Sequence, residues 1–599
     1  MPFVEATSPS ATNGPSSADH NSGRLLLDGT REALEYLLAQ VQDQLPAESL
    51  SHIRRVGFST ANSGSPYFPS PLKQTEAISA LKAVEAGVAA SIAELATSLP
   101  NRTINVDLER ASAFLFSTYL ATVGGMDKGH PKVKTLLKGT PHLMPCFFPP
   151  TSHLPMSDTD LLQAQSILYR RLSANLYQTR KPGEYFHLHG SLEATKALNM
   201  VGLEGHRPDL TDYHECIKII EEHVMKYTAD ELEEMNWRIK QAGVTCLKWE
   251  DFQLTQHGQE LIEQPPWKVE TLETHSPPVP FPFKDSRAPK PQILAGIRVL
   301  ELCRVIAGPA MGRGLAEYGA EVIKVTSPNL SDVPFFQVDG NLGKHTTDLN
   351  LRDDRDRKLF EELLQTADVI LDGYRPGSLK RLGYGPAQIL SLTKHRQRGI
   401  VYVAEDCFGH IGPWSSRPGW QQIADCVTGV AWAQGLGMGL DEPVVPPFPM
   451  SDYGTGCMGT IAALTGLYNR AKYGGSYLGT TSLCQYDIYL LELGLYDDTM
   501  MRQLRKQHDN HFFELRHNDS VDEVGKRALK TMRRTHPELF EDRHMQECFS
   551  RGFNAKVRTI KPVVEVEGTW NGFLRSSRPN GFDKPTWEDW EVDEDMLAV

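Results

Sequence analysis

The sequence has no surplus of basic residues, no CxxC pair and no apolar run long enough to cross a membrane. Its net charge is −13 with no long basic stretch, which argues against general nucleic-acid binding through bulk charge. A small anionic ligand held by a few local groups stays open. Nine cysteines are scattered (Cys146, Cys216, Cys246, Cys303, Cys407, Cys426, Cys457, Cys484 and Cys548), an odd number at a density far below that of a disulfide scaffold. Buried free thiols in a reducing compartment are expected. The longest uncharged stretches are Gly139 to Ser157, Val56 to Leu72 and Tyr453 to Asn469. All fall short of the ~20 apolar residues that span a bilayer. The N-terminus lacks the positive start and apolar core of a signal peptide, and the final Leu597-Ala598-Val599 is not a peroxisomal address. A soluble cytoplasmic protein is the expectation. No Walker-type GxxxxGK[ST] motif is present, which disfavours P-loop nucleotide binding.

What is present is ordinary globular usage, 40% hydrophobic and 23% charged, over 599 residues. At ~150 residues per domain the length predicts about four units, or two to three if large α/β domains are involved. Residues 1–23 are rich in Ser, Pro, Ala, Asn and Gly and predict a disordered leader. Helical periodicity follows over Leu25 to Leu45 and Ile78 to Leu95, and Tyr185 to His189 alternates like a strand. Residues 264–291, with Pro265-Pro266 and the run Ser276-Pro-Pro-Val-Pro-Phe-Pro, predict an extended linker.

Beyond it the pattern changes. Strands are predicted at Ile297 to Leu302, Gly319 to Val325, Asp368 to Leu371 and Ile400 to Ala404, with helices at Ala310 to Tyr318 and Asp353 to Thr366 between them. Strand, turn, helix, strand in repetition predicts an α/β core with a parallel sheet. The turn Arg304-Val305-Ile306-Ala307-Gly308-Pro309 follows a strand and opens a helix. It therefore reads either as a plain turn with Pro near the helix start or as a backbone cradle for an anion.

Several segments in fixed order carry a more specific signal. They are Gly296 to Pro309, Leu315 to Val325, Asn341-Leu-Gly-Lys344, Ala367 to Gly377 with Arg381-Leu-Gly-Tyr384, and Phe408 to Pro413 leading to Arg417-Pro-Gly419. Together they resemble the family III CoA-transferases of the CaiB/BaiF type, from about residue 295 to 487. The resemblance implies a Rossmann-like parallel-sheet large domain plus a smaller α+β domain. It also implies CoA transfer between an acyl-CoA and a carboxylic acid, with CoA as part of the substrate, no metal and no nucleic-acid or membrane partner. Its single Asp nucleophile matches Asp452 in Pro447-Phe-Pro-Met-Ser-Asp-Tyr-Gly-Thr-Gly456. An Asp ionised at pH 7 attacks a thioester without a general base, and backbone N–H groups of Gly454 or Gly456 are candidate oxyanion donors. The local alternative for Asp452 is an N-cap of a helix starting near Tyr453. Val305, Ile306 and Ala307 are the implied loop against the CoA nucleotide, with Lys344, Arg375 and Arg381 as candidate phosphate or adenine contacts. Two departures weaken that cradle: Thr326-Ser327-Pro328 stand where a basic residue is usual, and His345 where Arg is usual.

The related racemases place a His after an RPG-like segment. Here Trp420 follows Arg417-Pro-Gly419, and indole does not accept a proton from carbon. An acyl-CoA racemase, or a degenerate acyl-CoA-binding protein without catalysis, remains the alternative. Residues 24–263 resemble an incomplete second copy that includes a small domain, residues 292–490 the full domain, and residues 491–599 a divergent helical region. The expected arrangement is a tandem, partly degenerate fusion acting as an intramolecular pseudo-dimer or a homodimer. Glu76 and Glu85 are expected on a helix face, and His187 and His189, lacking a suitably spaced third ligand, as core or surface residues rather than metal ligands.

Overall fold

The computed structural model describes residues 25–62, 64–97, 102–137, 159–282, 288, 290–588 and 590–597. The expected leader over 1–23, Cys146 and the uncharged stretch from Gly139 lie outside the described residues. Seven strands form the main sheet: β1 (Trp267–Glu273), β2 (Arg298–Leu302), β3 (Glu321–Thr326), β4 (His345–Asp348), β5 (Val369–Asp372), β6 (Val401–Asp406) and β7 (Ser476–Ser482). Their order is β4-β3-β2-β5-β6-β7-β1, all parallel except β1, which runs antiparallel to β7. Val369 lies opposite both Val299 and Val401, so the central strands read as continuous apolar runs buried on both faces.

Two expectations change here. The segment expected to begin the linker supplies β1, whose buried Trp267 closes the sheet edge beyond β7. His345, noted for replacing an Arg, opens edge strand β4, too short and polar to show a periodicity.

Helix packing follows from glycine placement. The helices used below are α1 (Gln74–Thr97), α2 (Ala307–Glu317), α3 (Gln421–Thr428), α4 (Met450–Tyr473) and α5 (Leu483–Glu492). α4 lies against α2 so closely that a Cβ at Gly456 would come within 2.4 Å of Ala310 Cβ and 3.0 Å of the Ala307 carbonyl oxygen. One at Gly314 would meet Thr460 Oγ1 at 2.5 Å. The opposite side of α4 meets the sheet, with Gly466 against Val401 and Ala462 under Gly479 of β7.

α1, from the first half, packs on α4 as well. Its Glu85 is on a helix face, as expected, and that face is buried: Glu85 pairs with Lys82 at 2.9 Å and accepts from Tyr318 Oη and Cys457 Sγ at 3.0 Å each. One apolar core therefore runs from Leu26 to Met596.

The rest of the first half is smaller. Strands Ala174–Gln178, Tyr185–His189 and Val244–Thr245 form an antiparallel sheet flanked by short helices. The C-terminal region, expected to be helical, also carries strands. Met545–Ser550 and Ala555–Ile560 form a hairpin extended by Thr122–Val123, and Val564–Val566 pairs with Ile104–Asp107. Alternation here is short and crossed by charge, which hid it from a helical reading.

The α2–α4 contact has no room for a side chain. Gly456→Val is expected to lower thermal stability by about 2–3 kcal/mol, the upper range for overpacking, read as a fall in Tm. The exposed Gly129→Ala control sets the cost of a substitution without steric conflict, since its backbone is not left-handed and its Cβ would meet nothing nearer than Asp127 Oδ1 at 3.5 Å.

Candidate active site

The sharpest local feature of the chain leads into α4. Pro449 is the N-cap, and Phe448 before it has φ +73°, in the left-handed region that apolar residues avoid. Asp452 is the third residue of the helix. It is therefore not the N-cap, because the helix begins three residues earlier than the sequence suggested. The Asp452 side chain reaches a cavity of about 80 Å³ at the carboxyl ends of the sheet strands.

Three regions of the chain build the cavity. Val305 and Ile306 follow β2, and Trp420, Gln421 and Gln422 open α3. The first half supplies Tyr119, Arg171, His189 and Ser191, and the C-terminal region supplies Val521. Seven non-glycine residues among those described have a left-handed backbone, and three of them (Ser191 at φ +54°, Val305 at φ +68° and Phe448 at φ +73°) line this one cavity. Each costs on the order of 1–3 kcal/mol, and such strain concentrates where geometry serves a site.

The electrostatics differ from the expected ionised Asp. Burial pushes the Asp452 carboxyl up to about 8, and no described side chain hydrogen-bonds to it. The field of the α4 N-terminus does not offset that loss of water. Burial also drives Glu405 well up, aided by the charges of Asp406, Asp452 and Asp372, and raises Asp372 to about 6. Below Asp452, Asp425 accepts from Ser451 Oγ at 3.1 Å and from Gln421, and burial raises both Asp425 and Asp487. Burial thus raises each carboxyl of this cluster, and Asp452 is the member that lines the cavity.

The one cation lining the cavity among the described residues is Arg171. Its Nε lies 3.2 Å from Asp522, which also pairs with Lys128. Burial favours the neutral acid, but Lys128 and Arg171 together outweigh it and hold the Asp522 carboxyl well below its usual range. Two cations facing one anion leave this wall with a surplus positive charge.

The expected contacts divide. Val305 and Ile306 line the cavity, while Ala307 opens α2 and turns its carbonyl to Gly456. Lys344 is fully buried, 2.6 Å from Glu301 and 2.7 Å from the Pro309 carbonyl, and burial lowers it to about 8. It ties β2 to α2 and is closed to a phosphate. Arg375 donates to the Lys240 carbonyl at 3.1 Å and Arg381 to Ser378 Oγ at 3.0 Å, both exposed outside the cavity lining. Gly454 and Gly456 lie within α4, past its free first turn and pressed on Tyr486 and Ala310, so their N–H groups belong to the helix ladder rather than to an oxyanion.

Trp420 occupies the wall, its Nε1 donating to Ser191 Oγ at 2.9 Å. Its ring stacks on His189 at 6.0 Å. Sequence reasoning set His189 aside and gave no sign of Arg171, because both reach the cavity only through tertiary packing. Among the described residues no group of three or more His, Cys, Asp or Glu is arranged to hold a metal ion.

Comparison with known proteins places this architecture. The family model for CoA-transferase family III matches residues 294–518. The chain is 33% identical to an acetyl-coenzyme A transferase of Hypoxylon pulicicidum, across 93% of this chain and 92% of that protein. It is 32% identical to an acyl-CoA transferase of Gibberella moniliformis, across 84% and 87%. A solved CAIB/BAIF family protein from Brucella suis is 25% identical, with a TM-score of 0.28 over 33% of this chain and 55% of that one.

The raised Asp452 sets a pH dependence with a definite sign. The unfolded side chain loses its proton near 3.8 and the folded one near 8, so between these values the folded state holds more protons. Stability therefore falls as pH rises from about 4 to about 8. Asp452→Asn, which carries no charge, is expected to melt at a higher temperature than the unsubstituted protein. The gap should widen between pH 5 and pH 8 by about 1.4 kcal/mol per pH unit, or roughly 4 kcal/mol in all. A pH-independent gap would contradict the shift.

Proposed function

The chain belongs to CoA-transferase family III, and from that membership we propose that it moves CoA between an acyl-CoA donor and a carboxylic acid acceptor through Asp452. The observation that carries the reading is an unpartnered carboxyl at the wall of a strained cavity. A carboxylate oxygen of Asp452 attacks the thioester carbonyl carbon, the C–S bond breaks, and CoA leaves as thiolate from a mixed anhydride. The thiolate then attacks the Asp452 carbonyl carbon, releasing the first acid with one aspartyl oxygen and leaving an aspartyl-CoA thioester. The acceptor carboxylate attacks that thioester, thiolate leaves again, and its return to the acceptor carbonyl gives the new acyl-CoA and free Asp452. No net proton is consumed. With the free carboxyl titrating near 8, about one molecule in ten is ionised at pH 7. Once ionised, that carboxylate has little water to shed before it attacks.

In this reading Val305 and Ile306 lie along the CoA, with Arg375 and Arg381 meeting its nucleotide end. Arg171 draws the anionic acceptor through the surplus charge on its wall. The two halves act as a fused pseudo-dimer with one working nucleophile. The support is positional: α1 and α4 both run 24 residues, and Glu76 and Asp452 are the third residue of each. Each helix leads to a strand and then another helix, N-capped by Asp107 in one half and Ser482 in the other. Glu76 is closed off: burial raises it to about 7, and Tyr496 Oη donates to it at 2.6 Å.

Intact-protein mass spectrometry after incubation with acetyl-CoA and succinyl-CoA tests the mechanism. An adduct that hydroxylamine removes, absent in Asp452→Asn, is expected. No adduct with either donor while CoA still binds would replace catalysis by a binding role. For Arg171→Leu, steady-state kinetics should show KM for the acid acceptor raised about tenfold, with KM for acyl-CoA little changed. A rise in the acyl-CoA KM instead would move Arg171 to the CoA.

A further inference from the structure

We infer that His189, from the first half of the chain, donates a hydrogen bond from Nε2 to the oxygen that becomes negative when the acyl carbonyl is attacked; this rests on the transferase reading above. His189 ends the strand Tyr185–His189 and lines the same cavity as Asp452. Its Nδ1 lies 2.9 Å from the Ser191 backbone nitrogen. An amide N–H only donates, so Nδ1 is the acceptor and carries no proton. The ring is neutral at physiological pH: burial drives its pKa well down, and the neighbouring His187, Arg171 and Arg375 add to the effect. The single ring proton is therefore on Nε2, which no described residue accepts.

The surroundings fix that tautomer and its direction. Ser191 holds its N–H in place from a left-handed backbone, φ +54°. Trp420 stacks on the imidazole with 9° between the planes, and its own Nε1 is tied to Ser191 Oγ at 2.9 Å. His187 stacks behind at 5.3 Å. A strained residue, an indole and a second imidazole thus serve one N–H. The glycine amides expected to supply such a donor are engaged within α4, so the function falls to the first half.

The step requires no proton transfer. As the Asp452 oxygen bonds to the carbonyl carbon, the π pair moves to oxygen and the Nε2–H bond to it shortens. Collapse returns the pair and expels the thiolate. A neutral imidazole is the suitable donor, because its proton is held too tightly to be lost to the oxyanion. The same tautomer bars His189 from taking a substrate α-proton at Nε2.

The test is infrared difference spectroscopy of [1-13C]acetyl-CoA bound to full-length Asp452→Asn protein, which holds the thioester uncleaved. The carbonyl stretch is expected below that of free acetyl-CoA. Adding His189→Leu should abolish most of that shift, and His189→Gln, which keeps an N–H donor, should restore part of it. In the otherwise unsubstituted enzyme, His189→Leu should lower kcat about 10²–10³-fold, with KM for acyl-CoA changed less than threefold and the rise of rate with pH unmoved. A carbonyl shift that survives His189→Leu overturns the assignment. So does α-deuterium exchange from D2O that His189→Leu removes, since that would make His189 a base. If no aspartyl adduct forms but the shift still depends on His189, the transferase reading fails while the hydrogen bond stands.

Discussion

Helix α4 is packed on α2 through Gly456 and Gly314, on the sheet through Gly466 and Ala462, and on α1 through Cys457 and Glu85. Close approach on three sides removes its freedom to rotate or slide. The first turn of such a helix can hold a carboxyl in one position, and the chain uses it to hold Asp452. The prolines at 447 and 449 and the left-handed Phe448 are the cost of turning into that helix at the required angle.

Burial then governs the chemistry. The carboxyls clustered at the sheet's carboxyl edge are all raised, by lost hydration and, for Glu405 and Asp425, by the charges of their neighbours. Only Asp452 combines a raised pKa with access to the cavity. Positive charge stands on the same cavity lining, at Arg171, which also pairs with Asp522. Asp452 and Arg171, from different halves of the chain, thus line one cavity, and the proposed function makes the first the nucleophile and the second the group that draws the acceptor.

Much of the second half was legible in the sequence. The apolar strands around Val299, Ile370 and Val401 announce a parallel sheet, and the small-residue turn before Asp452 marks a special helix start. What was hidden depends on distance in the chain. Lys344 reads as a phosphate ligand until Glu301, forty-three residues away, is found against it. Gly454 and Gly456 read as oxyanion donors until the helix is seen to begin at Met450, which places them past its free first turn. His189 and Arg171 carry no local motif, and their relevance appears only when the small sheet folds over α4. The strands of the last hundred residues were missed because their alternation is short and crossed by charge, and Val564–Val566 finds its partner only in the first half.

That last pairing has a bearing on how the chain is made. Ile104–Asp107 waits for Val564–Val566, some 460 residues later, before one of its edges is covered. At ~5–20 residues per second a ribosome needs roughly half a minute to a minute and a half to deliver the missing strand. Throughout that interval the first half emerges with an open β-edge and an unroofed apolar helix. The pairing of Ile104–Asp107 with Val564–Val566 is therefore completed only near the end of synthesis, and until then that edge is open to other chains.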